Sequence, residues 1–225
     1  MDEEERRAKI HAEHVEAVDE LRTRIEELEA RQPELLREIP ALRKEIAGVE
    51  RAISRAEPEE LDAPTARLAE LQARLDELSA ELESLGPALI QTRCTLGMKM
   101  SDFALEDHEG HEDALTYLQP LLNELRSAYG RASWDAERIE DDEAQRSAAL
   151  IAAETIAVNI EQANVRVARH RLALVDPDDK SLHLSREFQL DEAMILLDEA
   201  RAKVTALQEQ RRSPKQVAKK RFGRR

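Results

Sequence analysis

Two stretches of apolar residues at seven-residue spacing decide the fold. Residues 18–53 read VDELRTRIEELEARQPELLREIPALRKEIAGVERAI, and residues 68–96 read LAELQARLDELSAELESLGPALIQTRCTL. In both, the apolar positions alternate steps of three and four, and Gln32 is the polar member of the first series. Such a stripe is too narrow to face a broad globular core, so each stretch needs a partner helix.

The segment between the two stretches predicts how they pair. Pro58 and Pro64 oppose a continuous helix through residues 57–64. The second helix therefore folds back on the first, and residues 1–97 are predicted to form a long antiparallel coiled-coil hairpin. The alternative is a parallel oligomer, which Ile and Val at most a positions of the first stretch would favour as a two-stranded form. The hairpin is preferred because it needs no second chain, and further oligomerisation is expected in addition.

Prolines also lie inside both stretches. Pro33 and Pro40 stand seven residues apart on the outer face of the first helix, and Gly86-Pro87 lies in the second. Each proline removes a backbone donor and crowds the preceding turn. We expect the first helix to be kinked or divided near Gln32, with Pro33 opening a new helix, and a similar break at Gly86-Pro87.

The C-terminal half predicts more helices with a different pattern. Residues 98–132 are predicted to be a junction with short helices ending at Gly130, and residues 133–210 a helical hairpin or bundle. Its first helix is expected to run from an N-cap at Ser133 to about Val175, and its two apolar faces indicate burial from two sides. The apolar residues of the last helix are Phe188, Leu190, Met194, Leu197, Val204 and Leu207.

The composition supports an all-α fold. Aromatic residues make up 3% and charged residues 36% of the chain, with six glycines, which is typical of long helices and not of sheets. There is no uninterrupted run of 18 apolar residues, so no membrane span is predicted. One cysteine, Cys94, suits a reducing compartment, and the acidic start is unlike a signal peptide. We expect the protein in the cytoplasm or within a virion or other large particle.

The charge distribution gives the candidate partner-binding surfaces. The net charge of the chain is −14. Residues 1–210 contain 26 basic and 48 acidic residues, which gives −22, and the basic tail at residues 211–225 carries +8. The tail has no acid, so it is expected to bind nucleic acid or an acidic protein surface, with Val217 and Phe222 as apolar anchors. Its candidate contact residues are Lys215, Lys219, Lys220, Arg221, Phe222, Arg224 and Arg225. The acidic turn between the first two helices is the second candidate surface, through Glu57, Glu59, Glu60 and Asp62.

No motif predicts chemistry. The six glycines are too scattered for a phosphate-binding loop, and Cys94 lies in a helical pattern with no histidine neighbour to mark it as a thiolate. His108 and His111 stand three apart with Gly110 between them, which does not reproduce the His-Glu-x-x-His metal site. We predict no catalytic residue, cofactor, metal or small-molecule substrate. A weaker hypothesis is a metal-dependent or enzymatic role around these two histidines.

These features favour a non-enzymatic structural or assembly protein, an elongated helical subunit in an oligomer or larger particle. In charge layout alone, the acidic body and basic tail are similar to phage scaffolding and other virion-assembly proteins, an analogy that no motif supports. The alternative is a nucleic-acid-associated protein whose basic tail binds the phosphates of the nucleic acid.

Overall fold

The computed structural model of the chain describes residues 3–57, 61–140 and 142–212. The prediction of an all-α fold is confirmed, because the ordered elements of these residues are helices. They are α1 (Glu3–Ile53), α2 (Asp62–Asp107), α3 (His111–Glu137), α4 (Glu143–Ala173) and α5 (Lys180–Arg212). The chain divides into two compact units, Met1–Leu96 and Gly97–Arg225, so α2 contributes to both.

The core of the first unit consists of the heptad residues of α1 and α2. Leu35, Ile39, Leu78 and Leu85 are buried together, and the neighbouring heptad leucines pack against them. Gln32 is exposed, whereas the apolar members of the first series are buried or half-buried. Burying each leucine removes apolar surface from water, at about 25 cal/mol per Å². The narrow stripe that the sequence predicts is therefore the surface that each helix buries.

Ion pairs flank this core and join the two helices. The guanidinium of Arg31 donates to both carboxylate oxygens of Glu81, at 2.7 and 3.0 Å. Arg67 donates to Glu45 at 2.9 Å, and Arg93 donates to Glu29. The Arg31 fork holds the pKa of the Glu81 carboxyl below its ordinary value. Because these groups are solvated, each pair contributes little stability, and their main effect is to favour one register over its neighbours.

Of the two predicted effects of the prolines, a kink or a division of the helix, the division is wrong. α1 continues through Pro33 and Pro40, and α2 continues through Pro87. All three rings are exposed on the side away from the apolar stripe. A carbonyl that loses its helical partner there is accessible to water, and the packed stripe on the other side keeps the helix continuous.

The second unit contains the end of α2 together with α3, α4 and α5. α4 packs against both α3 and α5. On the α5 side, Val165 of α4 is buried with Ala193 and Leu197 of α5. Since α4 is covered on two sides, it has the two apolar faces that its sequence indicates.

The predicted start of α4 at Ser133 is also wrong. Ser133 lies inside α3, which passes through Gly130 and ends at Glu137. α4 begins at Glu143, where the Asp142 side chain accepts a hydrogen bond from the backbone N–H of Gln145 at 2.9 Å. Glycine weakens a helix by only about 1 kcal/mol. Burial of the last turn of α3, where Ala136 is fully buried, offsets that cost.

Gly97 allows α2 and α3 to approach closely. A Cβ atom at this position would lie 2.9 Å from Cδ2 of Leu121 and 3.1 Å from Cε1 of Tyr117, which is closer than carbon atoms pack. Gly86, in the same helix, has no atom within 4 Å of the equivalent position. The two glycines of α2 therefore have different roles, and only Gly97 is required by packing.

We predict that Leu35→Ala lowers the free energy of unfolding by about 2 to 5 kcal/mol, because Leu35 is fully buried and the substitution leaves a cavity. The adjacent Leu36 is 55% exposed, so Leu36→Ala is the matched control, with an expected change within about 0.5 kcal/mol. Urea denaturation followed by circular dichroism measures both. Equal losses in the two variants would contradict the packing of α1 described above.

Gly97→Ala is predicted to destabilise the second unit by about 1 to 2 kcal/mol, since Leu121 must move to admit the methyl group. Gly86→Ala makes the same chemical change without a clash and should stabilise α2 by up to about 1 kcal/mol. The midpoint of thermal unfolding should therefore shift in opposite directions. A gain in both variants would show that α2 and α3 are not in close contact at Gly97.

Candidate functional site

The predicted partner-binding residues fall mainly outside the described part of the chain. Residues 213–225, with all seven candidate tail residues, lie outside it, as do Glu59 and Glu60. Glu57 is exposed in the turn after α1, and Asp62 is exposed as the first residue of α2. An acid in the first turn is favoured by the helix dipole, so Asp62 has a structural reason to be there.

A polar cluster in the second unit joins three helices through two histidines. Nδ1 of His111 lies 2.9 Å from Nδ1 of His170, and Nε2 of His170 lies 2.8 Å from Oγ of Ser101. Ser101 and His170 are fully buried and His111 is 9% exposed. The cluster therefore connects α2, α3 and α4 inside the core.

Local structure places His111 in this cluster. Gly110 precedes α3 in the left-handed conformation, with φ of 73°, which glycine adopts without strain, and His111 is the first residue of the helix. His108, the histidine singled out with it in the sequence, is exposed with φ of 58°. The partner of His111 is His170, which no motif in the sequence singles out. A signal existed, because His170 continues the buried α4 series Ile160, Ala163 and Val167.

The hydrogen bond between the histidines restricts their protonation. A neutral imidazole has one N–H and one acceptor nitrogen, so a bond between two Nδ1 atoms holds a single proton. If His170 donates from Nδ1, its Nε2 accepts from the Ser101 hydroxyl. If His111 donates instead, His170 donates from Nε2 to Ser101. Both arrangements keep two neutral rings, whereas two charged rings would place two N–H groups face to face.

The environment of His170 opposes its charged form. Burial lowers the pKa of His170 to about 4, and the neighbouring His111 and Arg166 act in the same direction, against Asp102. Arg166 donates to both carboxylate oxygens of Asp102, at 3.1 Å each, beside the cluster. A hydroxyl bonded to an imidazole is also the arrangement of serine nucleophiles. Here Ser101 and His170 are fully buried, so no substrate atom reaches the hydroxyl in this conformation.

A second polar cluster joins α3, α4 and α5. The carboxylate of Glu154 is 2.7 Å from the ammonium of Lys203, and the Tyr129 hydroxyl donates to it at 3.4 Å. Glu154 is 8% exposed, and its hydrogen bond raises the pKa of Lys203. Because a buried carboxylate without a partner is costly, this contact specifies how the three helices align. Both polar clusters are thus explained by packing.

α5 has a buried and an exposed apolar face. The buried stripe includes Ala193 and Leu197, with Leu190 packed against it. Leu184, Phe188 and Ile195 share the opposite face at 3.6 residues per turn, and they are 68%, 70% and 60% exposed. Of the apolar residues that the sequence places in this helix, Phe188 and Met194 are exposed, whereas Leu197 is buried. The buried stripe repeats at Leu190, Leu197 and Val204, and Phe188 is out of phase with it.

Acidic residues flank this exposed stripe. Asp191, Glu192 and Glu199 are exposed beside Phe188 and Ile195, and none of the three forms an ion pair within the described residues. The outer face of α5 is defined here as Leu184, Phe188 and Ile195 with these three acids. It combines exposed apolar surface with negative charge that no ion pair within the described residues compensates.

Comparisons with known proteins add no assignment: no family model, no curated protein and no solved structure matches the chain. Among the described residues, no helix has the length and apolar content needed to cross a membrane. The interpretation of function therefore depends on the geometry above.

We predict that acid weakens the second unit through His170. Its folded-state pKa of about 4 lies below the ordinary value of 6.5, so the unfolded chain takes up the proton first as the pH falls. Stability from this group is complete above pH 6.5 and is lost towards pH 4, by about 3 kcal/mol at most.

Urea denaturation between pH 7 and pH 4.5 tests this prediction. His170→Gln should be less stable at pH 7 and should lose less stability than the wild type as the pH falls. His108→Asn is the matched control, because His108 is exposed and asparagine tolerates its left-handed backbone. An identical pH dependence in His170→Gln and the wild type would refute the role of His170.

Proposed function

We propose that this chain is a non-enzymatic structural or assembly protein whose subunits associate through their helices. The observation that carries the proposal is the outer face of α5, where three large apolar side chains are at least 60% exposed on the side opposite the core. Folded proteins rarely leave aligned apolar residues in water unless another surface covers them. The face is a stripe along one helix and not a cleft, so it suits a protein segment better than a small molecule.

The long helices of the first unit support the same proposal. We infer that α1 and α2 form an antiparallel coiled-coil hairpin. Arg31 pairs with Glu81, and Glu45, later in α1, pairs with Arg67, earlier in α2. The two helices therefore run in opposite directions. The shared core of Leu35, Ile39, Leu78 and Leu85 agrees with that direction. A hairpin of this kind provides length and surface for association.

The proposal predicts self-association that depends on the outer face of α5. The mass measured by sedimentation equilibrium should exceed the 25.6 kDa of one chain and rise with concentration. Phe188→Ser should weaken association by roughly tenfold or more, as loss of an aromatic contact does at interfaces. Helix content and thermal stability should be nearly unchanged, because Phe188 is 70% exposed.

Leu36→Ser is the matched control for this experiment. Like Phe188, Leu36 is an exposed apolar residue on a long helix, and 55% of its surface is accessible. It lies on α1, is followed by Arg37 and Glu38, and does not belong to an exposed apolar stripe. Its association should equal that of the wild type. A wild-type chain that stays at 25.6 kDa over the whole concentration range would overturn the proposed function.

A further inference from the structure

We propose that the outer face of α5 binds the basic tail of a second copy of this chain. The inference rests on the proposed function, because it names the partner at the surface through which the subunits associate. Three features of the chain support it: the charge of the two segments, the spacing of their apolar residues, and the reach of the tail.

The charge of the tail is complementary to that of the outer face of α5. The outer face of α5 presents Asp191, Glu192 and Glu199, all exposed and without an ion pair in the described residues. Residues 211–225 contain eight basic residues and no acid, whereas residues 1–210 have a net charge of −22. Opposite charges attract the tail to the outer face of α5. Acidic surfaces of the same chain are repelled from that face.

Charge also argues against pairing of α5 with itself. In an antiparallel pair that sets Phe188 of one copy against Ile195 of the other, the two-fold axis lies midway between these two residues. That axis passes between Asp191 and Glu192, so four carboxylates would be brought together with the apolar side chains. Like charges in contact oppose association. The occupant that fits this face is therefore basic.

The apolar residues of the tail match the spacing of the stripe. Val217 and Phe222 are five residues apart, which is about 16 Å in an extended chain. Leu184 and Ile195 are eleven residues apart, also about 16 Å along a helix. An extended tail is therefore as long as the stripe, and because side chains five residues apart point to opposite sides of an extended chain, either Val217 or Phe222 contacts it. Lys219, Lys220 and Arg221, between them, then lie over the acids near Phe188.

Reach favours a second copy over the same chain. α5 ends at Arg212, about 36 Å along the helix from Phe188 and about 42 Å from Leu184. Val217 follows Arg212 by five residues and reaches at most about 17 Å, and Phe222 reaches about 33 Å. Folded back on its own helix, the tail brings Val217 to no residue of the stripe and Phe222 only to Ile195. A tail from a second copy has no such restriction.

Carbodiimide cross-linking of the full-length chain tests the contact, because it couples a lysine amine to a carboxylate in contact with it. The wild type should give peptides that join Lys215, Lys219 or Lys220 to Asp191, Glu192 or Glu199. The ion pair between Lys203 and Glu154, at 2.7 Å, provides an internal reference within one chain. Tail lysines coupled mainly to acids of α1, α2 or α3 would overturn the proposal.

Two complementary variants distinguish the source of the tail. The first carries Lys215→Arg, Lys219→Arg and Lys220→Arg, which keep the charge but remove the reactive amines. The second carries Asp191→Asn, Glu192→Gln and Glu199→Gln. Alone, neither variant forms the tail-to-α5 cross-link. In an equimolar mixture, tails of the second variant should couple to α5 of the first and give a covalent species of twice the chain mass.

The outcomes separate this inference from the proposed function. A mixture without that species, when the wild type gives the cross-link within one chain, overturns docking between copies in favour of docking in the same chain. Self-association that Phe188→Ser abolishes, without tail-to-α5 cross-links in the wild type, overturns the inference and leaves the proposed function intact. A monomeric wild type without cross-links between chains overturns both.

Discussion

An apolar stripe two positions wide in every seven cannot be buried by the helix that carries it. This constraint governs the first unit, where α1 and α2 run for 51 and 46 residues with heptad leucines and isoleucines on one side. The two helices share the buried cluster of Leu35, Ile39, Leu78 and Leu85, and such burial is needed because a long isolated helix with so narrow an apolar face is marginal in water. The exposed prolines are tolerated for the same reason, since they lie on the side that makes no contact.

The second unit differs from the first in that its helices bury polar groups as well as apolar ones. His170 bridges Ser101 and His111, and Glu154 meets Lys203 and Tyr129. Burying such groups costs free energy unless every donor and acceptor is matched. Because each donor and acceptor must find its partner, one alignment of α2, α3, α4 and α5 has a lower free energy than its alternatives. Apolar packing supplies the stability of this unit, and the polar clusters make the arrangement specific.

α5 has two apolar faces in different surroundings. The face that includes Leu190, Ala193 and Leu197 completes the core with α4. The opposite face keeps Leu184, Phe188 and Ile195 in water beside three acids. Side chains exposed to this extent contribute little to the stability of the isolated subunit, and association is the role proposed for them above. The docking of a basic, partly apolar segment proposed above relies on these residues and on the acids beside them.

The sequence by itself determined the all-α class, the heptad stripes of α1 and α2, the outer position of Pro33 and Pro40, and the two apolar faces of α4, because these follow from spacing along one helix. Only the tertiary structure decided the rest. Helix continuity through Pro33 and Gly130 depends on packing that offsets a local cost, so propensity alone gave the wrong boundaries. His170 and the outer face of α5 became visible only with their neighbours, because burial depends on which helices meet and not on the order of residues within one.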